Sequence, residues 1–191
     1  MRERIVAGNW KMHGSQGFVR RWAGEFRRGT GPTTVLLVPP AILLTGLVAA
    51  CGDMDVEFGV QTMHADREGA FSGVMSAEMA ADAGAGWTLL GHSERRLLQR
   101  EDDAGVAARF GAARRAGLRP VLCVGETLEQ RRAGQASEVV LQQLQAVTRQ
   151  AGADFADAVV AYEPVWAIGT GETATPEQAQ QMHALLREAL R

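Results

Sequence analysis

The stretch Ala161-Tyr162-Glu163-Pro164-Val165-Trp166-Ala167-Ile168-Gly169-Thr170-Gly171 ends an apolar run in one carboxylate and passes at once into a loop that is stiff first and loose afterwards. Residues 158–162 have the length and character of a short buried strand, and Pro164 fixes one backbone angle. Residues 167–171 are small enough to bring backbone N–H groups close to a ligand. The C-terminal ends of strands are where parallel α/β proteins build their sites, so Glu163 is a candidate general base.

Outward from this stretch, short apolar runs recur at 5–9, 35–38, 56–60, 87–90 and 119–124, and 158–162 is the sixth. Helical patterns lie near 17–28, 42–50, 76–82, 103–116, 137–150 and 176–190. Their alternation at about 30 residues per unit predicts consecutive βα units, an α/β class and one continuous domain over 1–191. Val35-Leu36-Leu37-Val38 is continuously apolar, as a parallel strand covered on both faces requires. The last helix has a written start: Thr175 caps, Pro176 fits the first turn, and Gln178 completes a capping box.

The 191 residues suffice for a sizeable core, and a formal net charge of -2 with interspersed signs argues against a nucleic-acid stripe or a membrane-binding face. A small-molecule partner is expected. Cys51 and Cys123 are too few for a secreted disulfide framework, which with the lack of a signal-like or spanning apolar run predicts a cytoplasmic protein. Among the 20 Lys and Arg residues, only Lys11 is Lys, a compact point charge suited to a crowded anionic site.

The run ends carry Asn9 and Lys11 after the first, His92 after the fourth and Glu163 after the sixth. In a parallel sheet or barrel these ends share a face, so a cation, an imidazole and a carboxylate are expected at one rim. Ser93 reads as a helix N-cap, and a helix N-terminus disfavours a positive imidazole at His92. His13, His64 and His183 show no ligand spacing, so no metal is expected.

Gly8-Asn9-Trp10-Lys11-Met12, Gly91-His92-Ser93-Glu94-Arg95-Arg96, Cys123-Val124-Gly125-Glu126-Thr127 and the stretch from Tyr162 to Gly171 together resemble the triosephosphate isomerase family. Phe58-Gly59-Val60-Gln61 and Gly69-Ala70-Phe71-Ser72-Gly73 are weaker supporting stretches. The resemblance implies a TIM-barrel type of α/β fold and a phosphorylated triose as substrate, with no cofactor. It implies that Glu163 takes a proton beside the substrate carbonyl, that neutral His92 moves protons between two oxygens, and that Lys11 stabilises the enediolate. Asn9 and the Gly169 N–H would bind substrate, with Glu94, Cys123 and Glu126 in supporting positions. Val165-Trp166 and Thr173-Ala174 would hinge a lid over 167–171.

The family's barrel has eight βα units, and six are present here, so an incomplete barrel without the last two phosphate-binding loops is expected. That leaves two readings: an isomerase with its catalytic triplet intact, or a non-catalytic remnant of the fold. Thr62 and Val74 depart from the family pattern near its dimer contact, where Val74 is expected to leave Arg95 without its usual carboxylate. A homodimer is the implied assembly.

Overall fold

The computed structural model describes residues 3–27, 31–52 and 54–191. Its strands, among the described residues, are β1 (Arg4–Asn9), β2 (Thr33–Val38), β3 (Glu57–Val60), β4 (Trp87–Leu90), β5 (Arg119–Val124) and β6 (Val159–Tyr162). The helices are α1 (Gln16–Glu25), α2 (Ala41–Cys51), α3 (Ala77–Asp82), α4 (Ser93–Leu98), α5 (Asp103–Arg115), α6 (Leu128–Arg132), α7 (Ala136–Ala151) and α8 (Pro176–Ala189). The alternation of strand and helix expected from the apolar runs is present from β1 to α8, and the α/β class holds. Arg28, the expected end of the first helix, lies outside the described residues.

The chain divides into two compact units, Met1–Leu89 with Ala112–Pro120, and Leu90–Gly111 with Val121–Arg191. In the first, β1 pairs in parallel with β2 up to Asn9 opposite Val38, β2 with β3, and β3 with β4. The Arg119 N–H donates to Gly86 O at 2.8 Å. Apolar side chains of α1 and α2 close over β2: Val19, Ala23, Leu43, Leu47 and Cys51 bury against Leu37, with Trp10, Trp22 and Phe26 packed alongside. Burial of the Val and Leu side chains contributes roughly 1.5–3 kcal/mol apiece, so this cluster anchors the strand ends that carry Asn9 and Lys11.

In the second unit, β5 runs parallel to β6 with Cys123 opposite Ala161 and Val124 opposite Tyr162. Helix α7 turns Val140, Leu144 and Val147 inward, and α8 does the same with Met182 and Leu186. The Phe110 and Phe155 rings stack with centroids 5.3 Å apart. The capping box of Thr175 and Gln178 starts α8 as the sequence predicts, with Pro176 in its first turn. The short helix α6 was not foreseen, and α4 was foreseen only through its cap. At α4 the expected cap is corrected: His92 is the N-cap, its ring accepting from the Glu94 N–H, and Ser93 is the first helical residue. Among the described residues no helix is long and apolar enough to cross a membrane.

Candidate active site

Register decides where Glu163 stands. The β5–β6 ladder ends at Val124 opposite Tyr162, and the next N–H, that of Glu163, donates to Val124 O at 2.8 Å. Pro164 cannot donate in turn, and the chain breaks into the one-turn 3-10 helix Val165–Ala167. The Glu163 carboxylate is thereby delivered beside the start of α4. Its Oε2 accepts from the Ser93 N–H at 3.0 Å, and its Oε1 lies 3.2 Å from His92 Nε2. Both side chains are largely buried, at 12% and 19% exposure, so a substrate group entering here would displace little bulk water.

The His92 ring has its two nitrogens in different employment. Nδ1 accepts from the Glu94 N–H at 3.3 Å, which leaves the ring proton on Nε2, facing the carboxylate. Behind the ring, Gly91 adopts a φ of +68°, and Arg96 donates through Nε to Gly91 O at 2.8 Å. Arg96 is held in turn by Asp103 at 2.6 Å. Glu94 is half-exposed, its carboxylate 3.7 Å from His92 Nδ1. Arg95 Nε lies 3.3 Å from Glu101, which also pairs with Arg109 at 2.6 Å, so the carboxylate beside Arg95 comes from Glu101 rather than from position 74.

Cys123 is buried among these groups. Removal from water, and secondarily the neighbouring Glu163 carboxylate, push its thiol well above the ordinary range. A thiol held protonated in this way is a poor nucleophile.

Glu126 is wholly buried, with three donors converging on its carboxylate. Arg131 and Trp166 Nε1 each donate at 2.9 Å, and the Tyr162 hydroxyl at 3.0 Å. A buried carboxylate is tolerated only with such full pairing. Burial, followed by Glu126, pushes the Tyr162 hydroxyl up to about 12. Trp166 is the first buried residue of the loop after Glu163, so this network ties the loop's near end to the strand. Beyond it the Thr170 hydroxyl donates to Trp166 O at 2.6 Å, and Gly169 sits exposed with a φ of +69° that favours glycine.

Asn9 and Lys11 belong to the first unit. Lys11 has a left-handed φ of 50°, a conformation costing a non-glycine residue about 1–3 kcal/mol. Hydrogen bonds offset that cost: the Lys11 N–H donates to Asn9 Oδ1 at 2.9 Å, and Gln61 Nε2 donates to Lys11 O at 2.7 Å and Asn9 Oδ1 at 3.2 Å. Asn9 thus shapes the turn that carries Lys11.

The structure brings His92, Glu163 and Cys123 together in the second unit with Glu94 beside His92, gathers Glu126 instead with Tyr162, Trp166 and Arg131, and couples Asn9 to Lys11 in the first. Sequence reasoning missed Gln143 and Gln61. The Gln143 amide takes both backbone groups of Gly125, accepting from its N–H at 2.8 Å and donating to its C=O at 3.0 Å. Its one signal was a polar residue flanking the apolar stripe Val140, Leu144 and Val147.

The sequence pattern described as Triosephosphate isomerase matches residues 4–191. The chain is 51% identical over 190 residues to a triosephosphate isomerase of Stenotrophomonas maltophilia (strain R551-3), covering 98% of this chain and 76% of that one. It is 48% identical to one from Xanthomonas axonopodis pv. citri (strain 306), with the same coverage. A third, from Halorhodospira halophila (strain DSM 244 / SL1), is 49% identical over 189 residues, again covering 98% and 76%. With a parallel βα architecture and a Glu-Pro-Val-Trp loop leaving its sixth strand, the chain belongs to the triosephosphate isomerase family, the aldose-ketose isomerases of TIM-barrel type.

Proposed function

We propose that this chain interconverts dihydroxyacetone phosphate and glyceraldehyde 3-phosphate, a step of glycolysis and gluconeogenesis, by proton transfer through an enediolate. The observation that carries the reading is the facing pair of Glu163 Oε1 and His92 Nε2 at 3.2 Å, with the other ring nitrogen committed to a backbone N–H. Glu163 takes the proton from the carbon beside the carbonyl. His92 donates through Nε2 to the oxygen that gains charge and moves protons between the two oxygens. A glutamate base beside a neutral histidine under a closing loop is the pattern of this family, and it is carried over here residue by residue.

Charge that develops on oxygen is stabilised best by donors and cations fixed in a dry site. Lys11 has that role, Asn9 positions its turn and the substrate, and the Gly169 N–H binds phosphate. Closure of 167–171 excludes water while the enediolate exists. Glu94 and Glu126 support the histidine and the loop, and Cys123 fills space behind the base. The partner is a small phosphorylated triose. A second copy of the chain is the proposed assembly, supported by the exposed apolar side chains Met12, Phe71 and Val74 of the first unit. Sedimentation as a monomer at micromolar concentration would count against it.

A coupled isomerase assay of the parent beside Glu163→Gln tests the reaction. Turnover well above the variant is expected; turnover equal to it would favour a non-catalytic remnant of the fold.

A further inference from the structure

The base proposed above is only as well placed as the peptide that carries it, and that peptide rests on Gly125. A Cβ at Gly125 would stand 1.8 Å from Glu163 O and 2.9 Å from Glu163 C, so the residue after β5 is in contact with the Glu163 carbonyl along its bare Cα. The Glu163 N–H is fixed separately, by Val124 O at 2.8 Å. Glu163 is therefore held from its N–H side by one residue and seated through its C=O on the next.

Gly125 does not hold itself. Outside the ladder to β6, its N–H and C=O are both taken by the Gln143 amide of α7, at 2.8 and 3.0 Å. A primary amide offers one acceptor oxygen and a donor NH₂ on the same planar group, so one side chain grips the N–H and C=O of one residue as a neighbouring strand would. Gln143 is itself anchored, because α7 is packed inward through Val140, Leu144 and Val147, whose exposures are 0, 1 and 1%. A rigid path therefore runs from the core of α7, through one amide, to the seat of the carboxylate.

We infer that Gln143 is a positioning residue for the base, setting the Glu163 peptide through Gly125 without touching substrate. The inference rests on the reading of Glu163 as base. Misplacing a reacting group by about 1 Å costs on the order of 100-fold in rate, so a grip of this kind acts on the chemical step rather than on binding. Gln143 also lines a recess of about 270 Å³ together with Arg96, Asp103 and Gln130. Water can enter that recess and satisfy Gly125 when the amide is removed, so loss of the side chain loosens the seat without emptying a sealed core.

The test uses the full chain as the parent, Gln143→Ala and Gln143→Met, the second retaining bulk without the paired hydrogen bonds. The expected result is kcat lowered roughly 10- to 100-fold in both variants, with KM within about twofold and thermal unfolding still cooperative. A second readout does not need turnover: the His92 Nε2–H resonance in the proton NMR spectrum, held by Glu163 in the parent, is expected to broaden by faster solvent exchange in both variants. Unchanged kcat with an unchanged Nε2–H resonance would overturn the inference. So would losses in kcat and KM that merely track a collapse of folding. An inactive parent would sink the isomerase reading alone, and the resonance would still decide whether Gln143 sets the pair.

Discussion

The indole Nε1 of Trp166 donates to the buried carboxylate of Glu126 at 2.9 Å, tying the near end of the 167–171 loop to the end of β5. Arg131 reinforces the tie from the other side, its guanidinium 4.9 Å from the Trp166 ring centre while it donates to the same carboxylate. Trp166→Phe removes one of three donors from a charge that cannot reach water. A loss of about 1.5–3 kcal/mol in urea unfolding is expected, the usual range for a hydrogen bond to a charged group. If Trp166 is a hinge of the proposed lid, kcat and KM are expected to change together.

Tyr162 is the chain's single tyrosine, so alkaline titration of phenolate absorbance reads one group. Burial and then Glu126 raise that group from near 10 up to about 12. Its folded value lies above the unfolded one, so its contribution to stability is fully present below pH 10 and is lost as pH rises toward 12. The expected midpoint is near pH 12 in the folded chain and near 10 in denaturant. In Tyr162→Phe the loss of stability over that window is expected to be smaller.

His92 does two things at once: Nδ1 caps α4 and Nε2 faces the Glu163 carboxylate, the proposed base. Asparagine caps helices well but has no ring to shuttle a proton. His92→Asn is therefore expected to keep α4, with unfolding midpoints within a few degrees of the parent, while lowering kcat by about 10²- to 10⁴-fold. Circular dichroism melts beside steady-state kinetics check both halves.

β2 was legible because a parallel strand covered on both faces must be apolar along its whole length, and Val35-Leu36-Leu37-Val38 carries nothing else. The start of α8 was legible for the opposite reason, since Thr175, Pro176 and Gln178 act locally and need no partner elsewhere. The cap of α4 was misread because Ser93 is the commoner capping type, whereas an imidazole Nδ1 one residue earlier serves as well once Glu163 has claimed the Ser93 N–H. Glu163, His92 and Lys11 stood out as polar ends to apolar runs. Gln143 did not, because its task lies in an amide meeting a backbone 18 residues away in sequence, which no local pattern records.

The most direct measurement is exchange of substrate hydrogen with solvent: dihydroxyacetone phosphate incubated with the chain in deuterium oxide and followed by proton NMR. Proton abstraction by Glu163 predicts deuterium at a single position of the carbon beside the carbonyl, at a rate lowered about 10²- to 10⁴-fold in Glu163→Gln. Equal exchange rates for parent and variant, or exchange no faster than in buffer, would contradict it.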